Sequence, residues 1–379
     1  MTDTKTQETA QLPGGAPGSR QKLRFIHYGD DRARPRIYLQ AALHADEIPG
    51  LLVLHELEKL LDAADSRGAI KGHIVMAPIA NPIGLGQFTL GSFQGRFHVA
   101  NGVNFNRDYP DLLPQLKDSL KAKLGPDAEQ NVDLIRSHCL ELLAEQTPLS
   151  AIDCMRNALL SRAIDADFVF DLHCDDEAIM HLYTTPSAWP DTRDLADRLD
   201  CPLVMLADIS GGNPFDEASS AIWSQLADVF PDHPIPPACQ ANTIELRGKA
   251  DVDETLARQD AAALYAFMAG RGIIDEKLPD PKQVDVAVHP LEGVARIHTP
   301  CTGVVAFQVS PGQWVKKGDP LATLYPLEDG NPPIPVESPI DGLVYSRRID
   351  RYAHAGLKIC SISGAEVLPL EPGKNLLSD

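Results

Sequence analysis

Three features of this 379-residue chain predict an α/β fold. Short, uniformly apolar runs alternate with longer segments of helical periodicity over most of its length. The runs lack the in-out alternation of a half-exposed sheet, so they belong in a mostly parallel sheet covered on both faces. Residues able to do chemistry follow the ends of those runs, where open α/β sheets carry their sites.

Residues 1–20 are polar and rich in Gly, Pro, Gln and Thr, with no apolar centre. They predict a disordered arm and show no signal peptide. The strands start at Ile37–Leu43, and Pro49 then opens a helix to which Leu51, Leu52, Leu54, Leu57, Leu60 and Leu61 give an apolar face. A second strand covers His73–Ile79, and residues 128–164 are helical with a break at Pro148. Phe168–Leu172 is the most apolar strand, followed by strands at 180–184, 203–206 and 241–246. Helices at about 191–199, 217–228 and 254–269 fill the gaps. A large α/β domain over 21–283 is therefore expected.

From 284 to 379 the texture changes to short β runs with Gly and Pro, and an internal repeat emerges. Thr302-Gly303-Val304-Val305 leads to Gly318 and Pro320–Leu324, as Asp341-Gly342-Leu343-Val344 leads to Gly356 and Lys358–Ile362. Two such halves predict a small all-β barrel, closed or sandwiched. Pro311–Asp319 and Ser338–Gly342 resemble the framework of biotinyl/lipoyl-carrier domains. The modified lysine of those carriers lies on the hairpin between the halves. Here that stretch reads Tyr325-Pro326-Leu327-Glu328-Asp329-Gly330-Asn331, with no lysine between Lys317 and Lys358. A carrier function is rejected on that ground.

Composition narrows the partners. The net charge of −19 argues against nucleic acid or an anionic membrane surface. No apolar run approaches the ~18 residues needed to span a bilayer. Seven scattered cysteines without a C-x-x-C pair fit free thiols in a reducing cytoplasm. Self-association into a homo-oligomer stays open.

The candidate chemistry begins at His44-x-x-Glu47, just after the first strand. His173 follows at the end of the most apolar strand, in Asp171-Leu172-His173. Two imidazoles and a carboxylate are a three-ligand set for a catalytic zinc that keeps its fourth position open. Asp171 is placed to orient a ligand from behind. The bland readings are a helix-start histidine with a solvated glutamate, and a hydrogen-bonded core histidine. Arg96 and the run Gly102-Val103-Asn104-Phe105-Asn106-Arg107-Asp108 offer donors for a carboxylate, or a plain turn in which Arg107 pairs with Asp108 or Asp111. Glu245, in Asn242-Thr243-Ile244-Glu245-Leu246-Arg247-Gly248, is either a general base or the salt-bridge partner of Arg247.

Taken in chain order, His44-x-x-Glu47, Arg96, Asn106-Arg107, His173 and Glu245-Leu246-Arg247-Gly248 resemble the zinc carboxypeptidase superfamily. The nearer resemblance, over roughly 36–270, is to its succinylglutamate desuccinylase/aspartoacylase family. The spacing from Arg96 to Arg107 is similar to the subgroup containing N-acetyl-diaminobutyrate deacetylases. The resemblance implies a zinc-carboxypeptidase-like mixed sheet and one zinc per subunit, held by His44, Glu47 and His173. It implies Glu245 as base and then acid, Arg96 as oxyanion donor, and Asn106 with Arg107 as the carboxylate grip. The implied activity is hydrolysis of a small N-acyl amino acid-like amide. A peptide-cleaving metallocarboxypeptidase and a metal-free binding module are the alternatives. The acidic run Asp175-Asp176-Glu177 departs from the family pattern and favours an amine-bearing substrate if it lines the pocket.

Overall fold

The computed structural model describes residues 4–14, 18–327, 331–369 and 376. Strands β1 (Thr6–Pro13), β2 (Arg20–Tyr28) and β3 (Arg36–Ala41) precede helix α1 (Pro49–Ser66), β4 (His73–Ala77) and α2 (Pro82–Leu85). The two-residue strands β5 (Phe88–Thr89) and β6 (Ser92–Phe93) form a hairpin. Helices α3 (Leu113–Leu120), α4 (Ala128–Glu145) and α5 (Ala151–Ala163) lead to β7 (Phe168–Asp175), β8 (Glu177–Ala178) and β9 (His181–Thr184). Then come α6 (Trp189–Arg198), β10 (Leu203–Leu206), α7 (Phe215–Val229), β11 (Gln240–Gly248), α8 (Glu254–Gly270) and β12 (Ala287–Pro290).

Nine strands make one mixed sheet in the order β1-β2-β4-β3-β7-β11-β9-β10-β12. Its centre, β4-β3-β7-β11, is parallel, and β9 runs antiparallel to β11. One face packs Ile37, Leu39 and Phe170 against Leu54, Leu57 and Leu61 of α1 and against Leu264 and Phe267 of α8. The other packs Tyr38, Val75 and Val169 against α3, α4, α5 and α7. Both faces are dry, as the unbroken apolar strands require.

The disordered arm expected over 1–20 is corrected by β1, which pairs antiparallel with β2 along its whole length. Only Leu12 of β1 is buried, so this edge strand reads as polar in sequence. Backbone pairing and polar anchors hold it: Glu8 pairs with Arg162, and Asp65 accepts from the Thr4 and Lys5 amides. Residues 1–3 and 15–17 of the expected arm lie outside the described residues. The expected boundary at 283 also shifts, because β12 pairs parallel with β10 and completes the large sheet.

Beyond β12 the chain forms β13 (Val294–His298), β14 (Gly303–Phe307), β15 (Trp314–Val315), β16 (Pro320–Pro326), β17 (Ile334–Glu337), β18 (Gly342–Arg347), β19 (Tyr352–Ala353) and β20 (Lys358–Ser363). They make two sheets, β13-β20-β18-β15 and β17-β16-β14-β19, the sandwiched rather than the closed of the two expected arrangements. Val305, Leu321 and Leu324 of one sheet meet Ile297, Val344 and Ile362 of the other in a shared core. Residues 328–330 of the hairpin compared with the carriers lie outside the described residues. The β domain is joined to the large one by β8, which pairs antiparallel with β18, and by Glu177 bridging Arg347 and Arg351. Among the described residues no helix is long and apolar enough to cross a membrane.

His27 and His73 stack in this fold, their facing nitrogens 3.3 Å apart. Burial and the nearby Arg36 push His73 down to about 4, and burial lowers His27 as well. A histidine held neutral by folding stabilises the native state above its unfolded value near 6.5; that stability is lost as pH falls towards 4. The melting temperature should therefore drop between pH 6.5 and 4, and the drop should be shallower in His73→Gln. Parallel pH profiles of the two proteins would contradict this.

Candidate metal centre and cleft

The parallel strands deliver the candidate residues to one end of the sheet. His44 and Glu47 occupy the turn between β3 and α1, a turn opened by Ala42 in the left-handed region (φ 57°). The loop after β6 closes on it, with the Ala45 amide donating to the Gly95 carbonyl at 2.9 Å. A side chain on residue 95 would place its Cβ 1.9 Å from the Asp46 amide nitrogen, so only glycine permits this approach. Gly95→Ala should displace the turn and weaken metal retention at least tenfold, read by competitive chelator titration; unchanged affinity would refute the constraint.

His44, Glu47 and His173 are 3, 4 and 3 % exposed, and one donor atom from each lies within 4.8 Å of the others. Glu47 is the hub: Oε1 is 3.1 Å from His44 Nδ1 and Oε2 is 2.7 Å from His173 Nδ1. Each far ring nitrogen has a polar oxygen about 3 Å away, Asn104 behind His44 and Asp171 behind His173. Asn104 Oδ1 accepts from the Asn106 amide, which fixes it as an acceptor, and it lies 3.0 Å from His44 Nε2. His44 Nε2 therefore carries the hydrogen. Burial and the charge of Arg96 lower the His44 pKa, so the ring is neutral and its Nδ1 lone pair faces the Glu47 carboxylate. Arg96 Nη1 stands 3.2 Å from this Nδ1 and 3.1 Å from Glu47 Oε1, so its guanidinium lies between the two acceptors. His173 Nε2 lies 2.9 Å from Asp171 Oδ2, the carboxylate backing that orients metal-ligating histidines. This donor set fits a metal ion. Without one, and against the cost of burial, Asp171 and Glu47 raise the His173 pKa well above the usual value.

Glu245 stands beside this group, in register with His173 on the adjacent strand. It does not pair with Arg247. A register shift between Glu245 and Gly248 turns Arg247 into the left-handed region (φ 64°), and its guanidinium bonds Asp260 of α8. Bulges of this kind commonly re-aim side chains next to active sites. Glu245 Oε2 is buried with no hydrogen-bond partner among the described residues. Burial, followed by the charge of Glu47, raises its pKa to about 8.

All seven predicted site residues line one cleft of about 570 Å³. Arg96 Nη1 is 3.1 Å from Glu47 Oε1, and the side chain remains 39 % exposed. Asn106 Oδ1 accepts from the Phe215 amide at the start of α7, so its amide nitrogen is the part left to donate. Arg107 Nη1 donates to the Asn106 carbonyl at 2.7 Å. Of the acidic run, Asp175 and Asp176 line the cleft and Glu177 does not. Lys249 bridges Asp176 and Asp46, so part of that acidity is already neutralised. Sequence reasoning gave no role to Lys249 or Asp216, nor to Tyr345, Arg348 and Lys358 of the β domain, all of which line the cleft, and it named Asn104 only within a run of carboxylate donors. Only Asn104 carried a signal, as the first polar residue of the Asn104-x-Asn106-Arg107 spacing.

Fold and site together define an α/β protein with a candidate metal centre at its strand ends. Residues 33–271 match the succinylglutamate desuccinylase/aspartoacylase catalytic domain, and the chain belongs to this family, whose members are deacylating hydrolases. A solved structure assigned to the same family from Shewanella amazonensis SB2B is 26% identical, with 94% of this chain and 98% of that one covered and a TM-score of 0.82. Its counterpart from Shewanella frigidimarina NCIMB 400 is 24% identical over 96% and 98% of the two chains, with a TM-score of 0.83. The product-bound ectoine utilization protein EutE (DoeB) from Ruegeria pomeroyi shares the fold at 16% identity, 96% and 95% coverage and a TM-score of 0.68. No protein of curated function matches the chain by sequence.

Proposed function

We propose that this chain is a cytoplasmic zinc-dependent amidohydrolase that removes the acyl group from a small N-acyl amino acid. The observation that carries the reading is the convergence of donor atoms from the buried His44, Glu47 and His173 within 4.8 Å of one another, beside Glu245, whose Oε2 has no hydrogen-bond partner among the described residues. One zinc ion per subunit, held by His44, Glu47 and His173, would polarise the amide carbonyl and lower the pKa of water towards ~7. Glu245 takes the proton of the attacking water and passes it to the departing nitrogen. Arg96 holds the charge developing on the carbonyl oxygen, a contribution on the order of 3 kcal/mol for one such donor. The Asn106 amide and Arg107 grip the substrate carboxylate.

A metallocarboxypeptidase would need an open groove for a peptide. Here β-domain side chains Tyr345, Arg348 and Lys358 form part of the cleft wall, which supports a small substrate. The test is stoichiometric zinc in the purified protein, with turnover of acetyl-, succinyl- and aspartyl-type amides against peptides carrying a free C-terminus. Peptide turnover alone would favour the carboxypeptidase, and absence of a stoichiometric metal would sink both.

A further inference from the structure

The carboxylates of the cleft wall are Asp46, Glu47, Asp175, Asp176, Asp216 and Glu245. Nearly all have a defined cationic neighbour or catalytic task. Asp46 and Asp176 share Lys249, and Glu47 faces Arg96 and the two imidazoles. Lys358 helps hold the Asp175 carboxyl below its usual range, while Glu245 is the proposed base. Asp216 is the exception. Among the described residues it has no lysine, arginine or histidine partner, and its hydrogen-bonding neighbour is the Thr243 hydroxyl, 3.0 Å from Oδ2.

Its position is specific. Thr243 lies two residues before Glu245 on β11, so both project from the same face, about 7 Å apart along the strand. Phe215, which precedes Asp216, donates its amide to Asn106, tying Asp216 to the proposed carboxylate grip. Asp216 and Tyr183 also line a small neighbouring recess, together with Thr184, Asp208, Ser210 and Glu217 and without lysine or arginine. In that recess Glu217 is already occupied by the Ser210 and Gly211 amides.

Resting on the hydrolase reading, we propose that Asp216 is a specificity-determining residue that receives a second, cationic group of the substrate. The preferred class is then an N-acyl amino acid carrying a free amine or guanidinium, not one carrying a second carboxylate. A half-buried carboxylate without a counter-ion discriminates strongly, because a cationic ligand pairs it while a neutral or anionic one leaves it desolvated and unpaired. Burial, with the charges of Glu217 and Asp171, raises Asp216 to about 6, so it remains largely ionised at neutral pH.

The test compares the zinc-loaded full chain and its Asp216→Asn and Asp216→Ser variants on three substrates. These are acetyl-ornithine, tried as its Nα and Nδ regioisomers, the uncharged isostere Nα-acetyl-norleucine, and Nα-acetyl-glutamate. Wild type should favour an ornithine substrate over norleucine and glutamate by at least tenfold in kcat/KM. Both variants should bring the ornithine-to-norleucine ratio close to one, a change that general misfolding cannot produce. A wild-type preference for glutamate or norleucine, or a ratio unchanged by both variants, overturns the proposal. Calorimetric binding of free ornithine and norleucine is measured alongside. If no amide turns over, the hydrolase reading fails, and the binding ratio still decides the role of Asp216.

Discussion

Glu245→Gln should lower kcat by two to four orders of magnitude and leave the metal content intact. The range is that of a positioned general base. Glutamine keeps the size of the side chain but accepts no proton, and the unpartnered Oε2 shows that the carboxylate is not committed to holding the fold together. Because burial and the neighbouring Glu47 charge disfavour ionisation of Glu245, replacing it with a neutral amide should not destabilise the chain; its melting temperature should hold or rise at pH 8. A bound dication moves the Glu245 pKa below its metal-free position near 8, so the acid limb of kcat/KM in the loaded enzyme should lie below pH 8 and vanish in the variant. Metal analysis and steady-state kinetics on the same preparation make the check. Loss of metal along with activity would make Glu245 a structural residue, and an unchanged kcat would remove it from the mechanism.

The extent to which this architecture was legible follows from how each part is stabilised. Strands such as Phe168–Asp175 and Leu203–Leu206 are apolar because both faces are covered, so their sequence announces their burial. Strand β1 is held mainly by backbone pairing and polar anchors, and β12 buries only His289 of its four residues, so neither carries an apolar pattern. The buried His44, Glu47 and His173 group was legible because those residue types at that spacing are themselves a donor set that could hold a metal ion. The groups around it were not. Arg247 chooses Asp260 over Glu245 only because the strand shifts register, and Asn104 acts as an acceptor only because the Asn106 amide turns it that way. Asp216 reads as an ordinary acidic residue in the first turn of a helix, and its lack of a cation is a property of the assembled cleft.

Glu47→Gln should abolish metal retention and activity together, the largest loss expected of a single substitution. Glu47 supplies an oxygen to each imidazole and the negative charge that offsets Arg96. In the amide variant the Arg96 guanidinium faces two imidazoles across the proposed metal site, so a bound dication would be set against an unbalanced cation. The wild-type metal-free state should show the reverse problem. There Asp171 and Glu47 favour a protonated His173, despite its burial, and the metal must displace that proton. Zinc affinity should therefore fall by about a decade for each unit of pH decrease below the raised His173 pKa. Asp171→Asn separates the two effects of this carboxylate. It removes the backing that orients His173, which should cost 10–100-fold in affinity at high pH. It also removes one charge holding the competing proton, so the affinity-versus-pH curve should flatten at a lower pH than in wild type. Zinc titration against a competing chelator from pH 6 to 9 measures both. Curves of identical shape displaced by a constant would show that Asp171 orients the ring without governing its proton, and full zinc retention by Glu47→Gln would place the metal elsewhere.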